Sequence, residues 1–177
     1  GDLERAAAKL DSAADYCGSN VPVLLGKACA KFQSGAIEES RRLYREVFSV
    51  NPSPPSVVRL GLAYTSAKLG QPALARKALE RVLDLDSDSV EALAGLAVLD
   101  CNEGRVGEGM ERLKHAYQLE PTHPVVLNQL ANHYFLKAEY DHAKMLAQVR
   151  LRMSIASCFG LTYYTSALDA PAFLARF

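Results

Sequence analysis

Apolar and small positions return along this chain with a near-constant period. Gly1, Gly35, Gly70 and Gly104 stand 34, 35 and 34 residues apart, and Ala138 follows 34 residues later. Two residues after each comes an apolar or ring-bearing residue: Leu3, Ile37, Pro72, Val106 and Tyr140. Three further on comes a small one: Ala6, Ser40, Ala75, Gly109 and Ala143. Ahead of the turns, Ala28, Ala63, Ala97 and Ala131 recur at matched places, and a large second-helix position holds Leu10, Tyr44, Leu79, Leu113 and then Ala147. Small residues at facing positions let two helices approach closely, and a glycine between them supplies the backbone freedom that a short turn requires. Pro52 and Pro121 follow helical stretches, where a residue without an N–H cannot extend the hydrogen-bond ladder.

This period and its order of large, small, turn, small and proline positions resemble the tetratricopeptide (TPR) repeat. The fold class it implies is all-α, a right-handed superhelical solenoid of antiparallel helix pairs. With Gly1 at a mid-repeat turn, residues 1–17 are expected to be the second helix of a truncated repeat. Residues 20–153 are expected to hold four helix pairs, at about 20–52, 55–87, 89–121 and 124–153. From residue 154 to 177 the register stops, and Tyr163, Tyr164, Phe173 and Phe177 fall outside the repeat spacing. That stretch reads either as a divergent C-terminal segment or as a capping helix over the last apolar face.

Composition narrows the function classes. Twenty basic side chains balance twenty acidic ones, so the basic excess of a nucleic-acid or anionic-membrane binder is absent. Arg41, Arg42 and Arg45, interrupted by Tyr44 and followed by Glu46, read as a solvated helix face. Cys17, Cys29, Cys101 and Cys158 are far apart and unpaired in spacing, which fits buried thiols in a reducing compartment. No apolar run approaches the ~20 residues of a membrane span. With the opening at Gly1 rather than Met, the expected class is a soluble, intracellular fragment.

Candidate chemistry does not assemble. His115, His123, His133 and His142 form no metal-binding motif, and neither Cys29 nor Cys101 has a readable histidine partner. Gly104, Gly107 and Gly109 lie in a repeat turn and its following helix rather than after a strand, so they are no phosphate loop. Asp84, Asp86 and Asp88 crowd a repeat junction at the wrong spacing for a calcium loop. The expectation is a protein without catalytic residues, metal or cofactor.

What remains is a binding surface. First helices of this repeat line a concave groove, and the register points Leu25, Cys29 and Phe32 inward, then Val57, Leu60, Tyr64 and Lys68. The third pair contributes Glu91, Ala94, Val98 and Asn102, and the fourth Val125, Asn128, Asn132 and Phe135. Phe32, Tyr64, Lys68, Asn102, Asn128, Asn132 and Phe135 are the candidate protein-binding residues: aromatic anchors mixed with amides that can pair with a peptide backbone.

The wording of the first helices is more specific than the repeat. Leu24-Leu25-Gly26-Lys27-Ala28-Cys29, Val58-Arg59-Leu60-Gly61-Leu62-Ala63-Tyr64 and the run from Ala92 to Leu99 resemble one family, as does the run from Pro124 to Phe135. That family is the tetratricopeptide subunit of the polymerase-associated factor (PAF) complex, and Asn128, Asn132 and His133 are the most telling matches. The resemblance runs from about Gly1 to Ala147 and does not extend past Arg150. It implies a nuclear, non-enzymatic scaffold in RNA polymerase II transcription elongation and the histone modification coupled to it. Partners would be the other subunits of that complex, with RNA polymerase II reached indirectly, no direct nucleic-acid specificity and no membrane. Two alternatives are a TPR co-chaperone adaptor and the TPR arm of a larger enzyme such as a glycosyltransferase. The adaptor requires Lys, Arg and Asn at inward positions to grip a carboxylate, where this chain has Leu25, Leu60 and Glu91.

Overall fold

The computed structural model describes residues 2–17 and 20–157. Among them lie nine α-helices and no strand: α1 (Asp2–Cys17), α2 (Val21–Gln33), α3 (Ile37–Val50), α4 (Ser56–Lys68), α5 (Pro72–Leu85), α6 (Val90–Asn102), α7 (Val106–Leu119), α8 (Pro124–Leu136) and α9 (Tyr140–Ser157). The chain forms two compact units, Gly1–Leu85 with α1 to α5 and Asp86–Phe177 with α6 to α9. Of the segment set apart in the sequence at residue 154, the first four residues belong to α9, and 158–177 lie outside the described residues.

Each pair is joined by the same closing turn. Gly35, Gly70 and Gly104 have φ of 84°, 70° and 85°, and Ala138 takes the same left-handed conformation at 61°. At all four turns the amide after the left-handed residue reaches back five positions. Ala36 N–H donates to the Lys31 carbonyl at 2.9 Å, Gln71 to Ser66 at 2.9 Å, Arg105 to Asp100 at 2.8 Å and Glu139 to Tyr134 at 2.9 Å. This satisfies carbonyls that a helix end otherwise leaves without partners. At the opposite end of α2, Asn20 Oδ1 accepts the Val23 N–H at 3.0 Å and Pro22 lies in the first turn, where its missing donor costs nothing.

In the first unit α2 packs along α3 and α4 along α5, with α3 against α4 and α1 against α2. Leu24, Ala28, Tyr44, Val47 and Val58 form a buried cluster. The small second-helix position earns its size here: Ser40 is fully buried and its Oγ donates 2.7 Å to the Ala28 carbonyl across the pair. Gly61 accommodates the ring of Tyr44, and Gly26 accommodates Leu10, so a first-helix glycine receives the large side chain of the preceding second helix.

In the second unit α6 packs along α7 and α8 along α9, with α7 against α8. α6 is apolar around most of its circumference, and Ala92, Leu93, Ala94, Leu96 and Ala97 are all buried, as expected of a helix covered on several sides. At Gly109 any added Cβ would meet Cys101 Sγ at 2.7 Å and the Ala97 carbonyl oxygen at 2.9 Å, so only glycine allows this approach of α7 to α6.

Candidate protein-binding surface

In the first unit, Phe32 and Tyr64 are half-buried on α2 and α4, and Lys68 is exposed in the last turn of α4. Of their neighbours in the inward register, Val57 is exposed and two others are committed to packing. Leu60 is buried, and Cys29 lies 3.4 Å from the Tyr44 hydroxyl through its Sγ. Arg59 extends its guanidinium over the Phe48 ring at 5.1 Å, an electrostatic contact between cation and ring face.

In the second unit, Asn128, Asn132 and Phe135 share one face of α8 by their four- and three-residue spacing, and Asn102 is exposed at the end of α6. Ala94, also in the inward register, is buried. Two of the α8 residues have partners. Asn128 Oδ1 accepts a 2.6 Å hydrogen bond from Arg150 of α9, and the Phe135 ring meets Tyr140 edge to face at 5.5 Å. Phe135 therefore stands at the turn end of the pair with Leu136 and Tyr140, all three exposed.

The same helix carries His133, half-buried beside Tyr134 with ring centres 5.8 Å apart. Burial holds its imidazole below the ordinary 6.5, Lys137 and Lys114 push the same way, and Glu139 opposes them. Burial also pushes the Cys101 thiol up, which keeps it protonated and poorly nucleophilic. Glu39 is held below the usual carboxylate range by Lys31, whose ammonium lies 2.7 Å away.

One charged group escaped the sequence reading. Asp100 is fully buried on α6, and its carboxylate pairs with Arg105 at 2.8 Å and with Arg112 of α7. It ties the α6–α7 turn and the following helix to one buried acceptor. The available signal was a lone aspartate on an apolar helix with arginines five and twelve residues on. Arg41, read as part of a solvated face, is instead half-buried, donating to Gln71 at 2.7 Å and Glu38 at 2.8 Å, whereas Arg42 and Arg45 are exposed.

Antiparallel helix pairs of this length, closed by left-handed turns at one period and packed through small facing residues, define a tetratricopeptide-repeat protein. A family profile for the tetratricopeptide repeat matches residues 57–89. A tetratricopeptide repeat protein from Parabacteroides merdae ATCC 43184 has the same fold, with a TM-score of 0.69 at 20% identity over 84% of this chain and 57% of that one. Within the class, the sequence is similar to CTR9 proteins. It is 36% identical over 157 residues to Protein CTR9 homolog of Arabidopsis thaliana, covering 87% of this chain and 14% of that protein. It is 31% identical over 135 residues to RNA polymerase-associated protein CTR9 of Caenorhabditis elegans, covering 72% of this chain and 11% of that protein. The chain thus spans about a seventh or less of these relatives' length. They bear out the resemblance to the tetratricopeptide subunit of the polymerase-associated factor complex, and with the repeats they support a protein scaffold.

Proposed function

We propose that this chain is a segment of a nuclear scaffold that holds subunits of the polymerase-associated factor complex together. Through them it would serve RNA polymerase II elongation and the histone modification coupled to it. The observation that carries this reading is the 36% identity to the Arabidopsis thaliana CTR9 homolog across 87% of the chain. The four helix pairs are the building units, and their first helices supply the contact surface. Phe32, Tyr64 and Lys68 offer it in the first unit, and Asn102, Asn132 and Phe135 in the second. Asn128 supports the surface indirectly, because its carbonyl oxygen is already bonded to Arg150. Aromatic rings anchor a partner segment by burying area, and amides pair with its backbone. No step of this role calls for catalysis by the chain itself.

The test is affinity purification of the tagged full-length protein from nuclear extract, with co-purifying proteins identified by mass spectrometry. The expected result is recovery of the elongation-complex subunits together with RNA polymerase II. Recovery of heat-shock proteins without polymerase would replace this reading with the co-chaperone one.

A further inference from the structure

The second unit carries a cleft between its second helices, α7 and α9, away from the residues assigned above. Its volume is about 260 Å³. Leu130 and Leu146, both buried, lie at its base, and Tyr117 and Tyr134 supply ring walls. His142 and Met145 of α9 close one side, and Lys114 and Gln118 of α7 the other.

The repeat register shows that the cleft is not what the fold alone demands. The place of Met145 is taken in the preceding second helices by Ala8, Arg42, Lys77 and Glu111, all exposed and three of them charged. Here the position is 52% exposed and apolar. The place of Tyr134 is taken by Lys31, Ser66 and Asp100 in the other first helices, and that of His142 by Arg5, Glu39, Leu74 and Glu108 in the other second helices. Tyr134 and His142 lie with ring centres 5.4 Å apart, so these departures are gathered at one spot. A methionine 52% exposed leaves about half of its side chain outside the helix packing, and its flexible, polarisable character suits a surface that accepts a partner's apolar group.

Charge sets what that partner must be. No carboxylate pairs with Lys114 among the described residues, while Glu139, the acid of the α8–α9 turn, already lies 3.3 Å from His142. The rim therefore presents an uncompensated cation over an apolar floor. The volume falls below the roughly 300 Å³ at which drug-sized ligand cavities begin, and suits a single large side chain. We infer that this cleft docks an acidic segment of a protein partner, which inserts one phenylalanine-sized side chain onto Leu130 and Leu146 while a flanking carboxylate meets Lys114. It would be a second contact surface, independent of the first-helix residues.

Methyl NMR on the full 177-residue chain labelled at its three methionines tests this. The probe is an acetylated, amidated pentapeptide with a central phenylalanine flanked by glutamates. A second peptide carries lysines in place of the glutamates. The Met145 methyl should shift saturably with the acidic peptide at millimolar concentration, and not with the basic one. Lys114→Glu should weaken binding by at least about fivefold, the scale expected of a partly desolvated rim charge. Met145→Arg, which gives the position a charge as in three of the other second helices, should remove the response and assign the peak. Both changes are at exposed positions, and thermal melts matching the parent would show the fold retained. An unmoved Met145 methyl, an equal response to the basic peptide, or unchanged affinity in Lys114→Glu would each overturn the inference.

Discussion

Gly61 and Asp100 show how single residues carry this fold by different physics. A Cβ at Gly61 would enter the Tyr44 ring, which is 5% exposed and held through its hydroxyl to Cys29. Overpacking of this kind costs about 1–3 kcal/mol, whereas alanine gains roughly 1 kcal/mol in helix propensity. Gly61→Ala should therefore lower stability by about 1 kcal/mol in urea denaturation, whereas in a Tyr44→Leu background, which removes the ring, the same substitution should cost little further. Asp100 stabilises through charge. Its removal leaves two arginines that still reach solvent, with side chains 40% and 33% exposed, and that keep Glu103 and Glu108 close by, so the cost falls below the 3–5 kcal/mol of a fully buried pair. Asp100→Ala should destabilise by about 2 kcal/mol. Because the carboxylate is sealed from ions, the loss should change little between low and high salt in thermal melts.

At the scale of elements, the four helix-pair turns share one geometry but not one residue. Ala138 pays a left-handed φ of 61° that glycine adopts freely at the other three turns. A non-glycine residue there costs roughly 1–2 kcal/mol, partly offset by the greater chain entropy glycine loses on folding. Ala138→Gly should raise stability by about 0.5–1 kcal/mol, visible as a higher Tm. The same pair of helices also holds a pH response. His133 has a folded-state pKa below 6.5, so its contribution is present above that value. As pH falls from 6.5 through the lowered folded pKa, the unfolded chain takes up the proton first and stability declines. Replacing His133 with phenylalanine should flatten this acid limb in denaturation curves measured between about pH 7 and 5.

For the molecule as a whole, binding is where the repeat array is expected to act. Tyr64→Ala and Asn132→Ala alter one contact residue in each unit while leaving the left-handed turns and the buried small residues in place. If the first-helix surface anchors a partner, each should weaken capture of the elongation-complex subunits by roughly tenfold, equivalent to about 1.4 kcal/mol. Quantitative co-purification against the parent protein checks this, and retention of full capture by both variants would move the contact elsewhere.

The all-α repeat class was legible in the spacing of Gly35, Gly70 and Gly104, because a closing turn must have one residue free of steric conflict at positive φ. The order of large and small side chains was legible for a related reason: helix pairs approach only where small residues face each other, as Ser40 and Ala28 do. The CTR9-like wording of the first helices was equally a property of the sequence. Other features depended on which helix lies against which. Asp100 looked like any helical aspartate until α7 brought Arg112 over it, and Asn128 looked like a free amide until α9 placed Arg150 within 2.6 Å. The cleft of Tyr117, Tyr134 and Met145 draws on three helices, so no local pattern could announce it. Local sterics and periodic burial are written residue by residue along the chain; partnerships between side chains distant in sequence exist only once the helices have packed.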